Sequence, residues 1–363
     1  MLVSTALFWA ASVALAVAHK PPPPSSPSGG YILKDYFNTS NFFREFDFYS
    51  EADPTHGFVT YVDAKTANRD GLAGYSSGGI YLGVDYKTKS TTVGRPSTRV
   101  ESKKAWHRGL FIADIKHMPA GTAESKGCGL WPAFWTFSKG NWPDNGEIDI
   151  IEGVHNQNHN FMVLHTKDTC KVTNNGALTN SRLLSDDCIG YLGCKQAAGS
   201  PTTFGADFNK NGGGVYAMEW TNETISVWFF PRNSAMLKNG TLSTASPDPS
   251  KFGKPLGRFA PAGCDIPGAF KDQSIIINTS LCGDWAGAPD VWNSNTDCKA
   301  MAPTCEAFVG SNPEAFTNAF WIIKEIKVFQ KEEGGSGSGN GTEYGGGRGG
   351  GKGFGKRGAS WRT

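Results

Sequence analysis

The sequence predicts an all-β protein, a sandwich of antiparallel sheets. Three observations predict it: apolar residues recur with period two, Gly, Asn, Asp and Pro clusters separate the alternating runs, and no segment carries a long amphipathic helix. A chain of 363 residues can hold one large domain of this class. With 19% charged and 12% aromatic residues, its composition is that of a packed globular protein and not of a disordered one.

The first eighteen residues, MLVSTALFWAASVALAVA, are apolar and uncharged and end in Ala16-Val17-Ala18, the small-x-small form that signal peptidase cuts. The run is short for a membrane span, which takes about 20 residues. A cleaved signal peptide over 1–18 is therefore expected, and with it a secreted, extracellular chain that keeps no membrane contact. Residues 19–30, HKPPPPSSPSGG, read as an extended spacer.

The body is expected to run from 31 to 331. In 224–230, Ile225, Val227 and Phe229 alternate with Thr224, Ser226 and Trp228. Near the end of the body, Ile326 and Val328 alternate with Glu325 and Lys327. Further strand-like runs are 79–85, 97–103, 109–118, 161–166, 214–220 and 274–281, each bounded by turn residues. No internal repeat is visible.

Residues 332–363 form a Gly-rich basic tail, expected to be disordered. From residue 334 on it carries five Lys/Arg against one acid, a net +4 that leaves −2 for the rest of the chain. A polyanionic partner for the body is therefore not implied. RGG-like pieces can bind RNA, but in a secreted chain a solvated tail, or weak adhesion to acidic wall material, fits better. No nucleic-acid partner is expected, and the polar C-terminus is not a lipid-anchor signal.

Eight cysteines (128, 170, 188, 194, 264, 282, 298 and 305) form an even set, read as disulfides in a secreted chain. Zinc is the rival use, but no two stand in a CxxC pair. Spacing leaves 105 connectivities open. Asn38, Asn222, Asn239, Asn278 and Asn340 open N-x-Ser/Thr sequons. Asn278 falls in a strand-like run, where a glycan is least expected.

The most informative segment is 145–154, NGEIDIIEGV. Strand alternation puts Glu147 and Asp149 on one face and Glu152 on the other, inside the core. A lone carboxylate there is costly. One extra residue, a β-bulge around Ile150-Ile151, would return Glu152 to the face of the other two acids. Three acids on one face repel, which stabilises nothing but separates pKa values. Glycoside cleavage uses that separation: one carboxylate attacks while another keeps a proton for the leaving oxygen, the two lying about 5–5.5 Å apart in retaining enzymes. An exposed acidic strand or a Ca²⁺ site is the plainer alternative. Trp131, Trp135 and Trp142 just upstream favour the first reading, because indole faces stack on sugar rings.

ExDxxE within GEIDIIEGV resembles the signature of glycoside hydrolase family 16, in its bulged, laminarinase-like form. WPAFW and NWP before the acids resemble fungal endo-1,3(4)-β-glucanases of that family, as do LHT after them, VYAMEWT, ISVWFFPR and CGDWAG. The resemblance covers roughly 31–330 and implies a concanavalin-like β-jelly-roll sandwich with a glucan cleft on its concave sheet. By it, Glu147 matches the nucleophile, Asp149 the assisting acid and Glu152 the general acid/base. His165 matches a histidine beside the acids, and Trp135, Trp142 and Trp285 match cleft tryptophans. Taken alone, His165 would read as an ordinary strand histidine and Trp285 as a turn residue. The tail and an apparent inserted loop around Cys188 and Cys194 depart from the pattern.

The expected function is thus hydrolysis of internal β-1,3 or mixed β-1,3/1,4 bonds in a glucan polysaccharide, by a monomer needing no cofactor and no metal. A wall-remodelling transglycosylase would use the same residues. A non-catalytic glucan-binding module would need the tryptophans but not the repelling acids.

Overall fold

The computed structural model describes residues 30–89, 93–178, 181–242 and 244–331, together with Trp361. The expected signal peptide lies outside the described residues, as do the spacer up to residue 29 and the tail apart from Trp361. The Trp361 indole stacks on Phe43 and Phe48, ring centroids 4.0 and 5.6 Å away.

Two antiparallel sheets carry the fold. The first runs Val172–Thr173, Gly257–Pro261, Ile225–Pro231, Gly214–Trp220, Gly109–His117, Phe320–Lys331, Gly79–Gly83 and Ala73–Ser76, with Tyr31–Phe37 also paired to Phe320–Lys331. The second runs Arg182–Ser185, Cys194–Ala197, Phe161–His165, Glu147–Glu152, Leu130–Ser138, Gln273–Leu281, Arg99–Ser102 and Phe46–Phe48. A short pair, Val59–Tyr61 with Arg95–Ser97, is parallel.

The period-two pattern explains the layering. Phe111, Ala113 and Ile115 of the first sheet meet Phe134, Ile148, Met162, Leu164, Ile275 and Ile277 of the second in one buried cluster. Fully burying each of these side chains larger than Ala113 contributes roughly 1.5–3 kcal/mol. Ile326 and Val328 are buried, and Glu325 and Lys327 lie partly open, as alternation requires. In Ile225–Pro231 the burial does not alternate: Ser226 and Trp228 are buried along with Ile225 and Val227, and Phe229 is only partly buried. Trp228 packs with Phe230 beneath Phe252 and Leu242, a second cluster that covers the outer face of the first sheet. Its indole N–H donates to the Gly253 carbonyl at 2.9 Å. A loop distant in sequence covers that face, so both faces of the strand are apolar.

Among the described residues no helix exceeds seven residues and none is long and apolar enough to cross a membrane. Three short helices, Pro289–Ser294, Thr296–Met301 and Cys305–Ser311, pack Trp292 and Phe308 into a satellite core. Two disulfides, Cys128–Cys298 and Cys282–Cys305, tie them to the ends of the second sheet. The other pairs are Cys170–Cys264 and Cys188–Cys194, so all eight cysteines are bonded.

Candidate active site

One face of the second sheet is the floor of an open cleft of about 810 Å³. Its floor is made of one face of six neighbouring strands. Arg99 and Glu101 come from one, Asn278 and Ser280 from the next, then Trp131, Ala133, Trp135 and Phe137. The three acids, Val163 with His165, and Lys195 follow. All seven candidate residues, Trp135, Trp142, Glu147, Asp149, Glu152, His165 and Trp285, line it together.

The bulge is present. Asp149 pairs with Trp135 and Ile151 with Phe134, leaving Ile150 unmatched across the ladder. Glu152 therefore returns to the cleft, while Ile148, Ile150 and Ile151 stay in the core. Buried Asn160 staples the irregularity: its Nδ2 donates to the Ile150 carbonyl at 2.8 Å, and its Oδ1 accepts from the Glu152 amide at 3.0 Å. The extra residue breaks the regular pairing here, and one side-chain amide supplies both a donor and an acceptor.

Each outer carboxylate is held by an indole. Trp142 Nε1–H donates to Glu147 Oε2 at 2.8 Å, and Trp131 Nε1–H donates to Glu152 Oε1 at 2.9 Å. Trp142 is 43% exposed, so its ring faces the open cleft. Trp135 is turned by Asn278, which accepts its N–H at 2.8 Å, and Trp285 meets Trp131 edge-on at 5.7 Å. Asn278 also donates to the Tyr61 hydroxyl at 3.1 Å; this sequon side chain is buried and already engaged.

His165 stands opposite Glu147 in the ladder. Its Nδ1 lies 2.9 Å from the Gly190 carbonyl, which can only accept, so Nδ1 carries the hydrogen. Nε2 then faces the acids, 3.4 Å from Asp149 Oδ2 and 3.8 Å from Glu147 Oε1. Asp149 Oδ2 is buried with no hydrogen-bond partner.

Burial pushes Glu147 up to about 8, reinforced by the charge of Asp149; His165 and the Trp142 N–H act the other way. Asp149 is pushed well above the usual carboxylate range by burial and then by Glu152. Glu152 is also raised. The cause is burial and not, as the sequence suggested, the neighbouring acids; the Trp131 N–H, Lys195 and His165 pull it back. Burial and the charge of Glu152 both favour the protonated form of Asp149. With Asp149 neutral, the charge that most raises Glu147 after burial is absent. Burial thus biases all three carboxyls toward the protonated form. Oxygen and nitrogen atoms of Glu147, Asp149 and His165 lie within 4.8 Å of one another, a set that could also hold a divalent cation.

The model of the XgeA-like catalytic domain of glycoside hydrolase family 16 matches residues 46–329. The chain belongs to family 16. Curated relatives include an endo-1,3(4)-β-glucanase of Arthroderma benhamiae, 41% identical over 84% of this chain and 66% of its own length. Another is the endo-1,3(4)-β-glucanase xgeA of Emericella nidulans, 39% identical over 84% of this chain and 48% of its own. The chain thus spans about half to two thirds of these relatives. Two solved structures align along almost their whole length. One is an elongating family 16 β-1,3-glucosyltransferase, 42% identical, TM-score 0.74, covering 83% of this chain and 100% of that one. The other is laminarinase 16A of Phanerochaete chrysosporium, 38% identical, TM-score 0.76, covering 83% and 99%. The jelly-roll sandwich implied by the motifs is the fold of this family 16 chain.

Several cleft residues escaped the sequence reading. Lys195 sits with Nζ 4.4 Å over the Trp285 ring, and Arg99 lies 4.4 Å over Tyr49 and 5.2 Å over Trp135. Their strands do show alternation, but only the sheet order says which face is the cleft. Asn160 had no local signal at all.

Proposed function

We propose that this family 16 chain is a retaining endo-β-glucanase acting on internal β-1,3 bonds, and on β-1,3/1,4 mixed-linkage chains. The observation that carries this reading is the bulge. It brings Glu147, Asp149 and Glu152 to one face of an open, tryptophan-lined cleft, with an indole N–H on each outer carboxylate. An open cleft admits a polymer along its length, which suits cutting within the chain.

Glu147 attacks the anomeric carbon as Glu152 protonates the departing oxygen, giving a glycosyl ester on Glu147. Glu152, now a base, takes a proton from water, which displaces Glu147 and restores the configuration. The Trp142 N–H stabilises the Glu147 anion before attack and again as it leaves. Asp149, with a carboxyl oxygen within 4.8 Å of Glu147, assists by setting the charge beside the nucleophile. Four disulfides support an oxidising, extracellular site of action, and the basic tail suits association with the cell wall.

The test is a product time course on laminarin and on mixed-linkage glucan, with reducing ends counted. Short oligosaccharides and rising reducing ends are expected; no change on either polymer would refute the reading. A second reading, transfer of the glycosyl group to another sugar, is favoured by the likeness to the glucosyltransferase. It would show as products longer than the donor with flat reducing ends.

A further inference from the structure

The segment Cys188–Cys194 is closed on itself by a disulfide. It is also bonded to the floor of the cleft. The Thr166 amide donates to the Cys188 carbonyl and the Gly190 amide to the Thr166 carbonyl, both at 2.8 Å. The Gly190 carbonyl holds His165, and Ser185 Oγ donates to the Gly193 carbonyl at 2.9 Å. Gly193, with φ of +59°, lies so close that an added Cβ would stand 2.5 Å from the Leu164 carbonyl oxygen and 2.8 Å from His165 Nδ1. The loop is thus a rigid extension of the strand that carries His165.

At its tip this rigid loop turns apolar side chains to water: Tyr191 is 55% exposed and Leu192 79%. Both line the cleft, whereas Ile189, 46% exposed on the same loop, does not. Holding large apolar groups fixed and wet gains nothing for the fold. The chemistry they fit is the apolar face of a pyranose ring.

The loop lies on the side of the acids formed by strands Phe161–His165 and Cys194–Ala197. The leaving group, and any acceptor that replaces it, must come within reach of Glu152, the acid that exchanges its proton. That acid is held by Trp131, whose ring meets Trp285. Lys195, which follows the loop directly, lies over the same Trp285 ring. Burial and then the charges of Asp284 and Glu152 push the Tyr191 phenol up, as expected of a group within their reach.

We propose that Tyr191 and Leu192 form a lip that receives the acceptor-side sugar, and so set how the glycosyl-enzyme divides between water and a second glucan. This rests on the retaining reading above. In the transfer step an acceptor hydroxyl oxygen bonds to the anomeric carbon, its proton goes to Glu152, and the bond to Glu147 breaks to return the carboxylate. Water makes the same exchange in hydrolysis but does not need the lip.

The test uses the full chain with laminaripentaose as both donor and acceptor. Products longer than the pentaose are compared with hydrolysis products by mass spectrometry. Both arise from one intermediate, so their ratio does not depend on how much enzyme is folded. For the double variant Tyr191→Ser/Leu192→Ser the ratio of transfer to hydrolysis is expected to fall about tenfold, as loss of a ring contact implies. Ile189→Ser, an equivalent polar change off the cleft, is expected to keep the parental ratio. Normal cleavage with an unchanged ratio in the double variant, or a parent that makes no elongated product, would overturn the lip alone. A parent that does not cleave the pentaose would overturn the retaining reading, and the lip with it.

Discussion

Replacing Trp142 by Phe removes one hydrogen bond and keeps a ring. The indole N–H lies 2.8 Å from Glu147 Oε2 and opposes the rise that burial and Asp149 impose on this carboxyl. Hydrogen bonds to charged groups contribute about 1.5–3 kcal/mol. At about 1.4 kcal/mol per pKa unit, losing this one should raise the pKa of Glu147 by roughly one to two units. The sign follows from what the bond favours. The N–H stabilises the anion, attack needs the anion, and without the bond the group ionises only at higher pH. The acidic limb of kcat/KM against pH reports the free enzyme. It should therefore move up by that amount in Trp142→Phe, with rates on laminarin below the limb falling roughly ten- to a hundredfold. Stacking is partly retained by the Phe ring, so KM changes alone would point to lost sugar contact. An acidic limb within about 0.3 units of the parent, accompanied by a raised KM, would refute the reasoning: Trp142 would then serve the substrate and not the nucleophile.

Deleting Ile150 should remove the bulge and turn Glu152 into the core, at a cost of several kcal/mol and all detectable activity. Adding Glu152→Leu to the deletion should restore the melting temperature but not the activity; an active deletion variant would show that the bulge does not place the acid. Glu147 binds its proton up to about pH 8 in the fold but only to about 4.5 when unfolded, so stability should fall as pH rises through that window. Glu147→Gln should accordingly melt above the parent at pH 8 and alongside it at pH 4, while losing roughly a thousandfold or more in kcat; equal melting at both values would contradict the burial of this charge. Cys128–Cys298 closes a separation of 170 residues and Cys188–Cys194 one of 6, so chain entropy assigns them about 5 and about 2 kcal/mol. Paired Cys→Ser variants should rank that way in thermal denaturation, and the reverse order would argue for a different origin of the stability.

The sequence by itself determined the layer class and the strand that carries the three acids. Strand alternation is a property of neighbouring residues, so the apolar runs named the strands before any pairing was known. The same rule, joined to the cost of an unpaired buried carboxylate, required the bulge at Ile150-Ile151. Where burial does not alternate, as at Trp228, the cause is a distant loop carrying Phe252 that buries the face a lone strand would leave wet.

Only the tertiary structure decided what lies across the strands. Asn160 stapling the bulge, Trp131 rather than Trp135 holding Glu152, Lys195 over Trp285, and the four disulfide partners each join residues through sheet order or loop closure. A pattern of period two states that a residue faces one side or the other. It does not state which strand lies next door, and the chemistry of this cleft is made of neighbours.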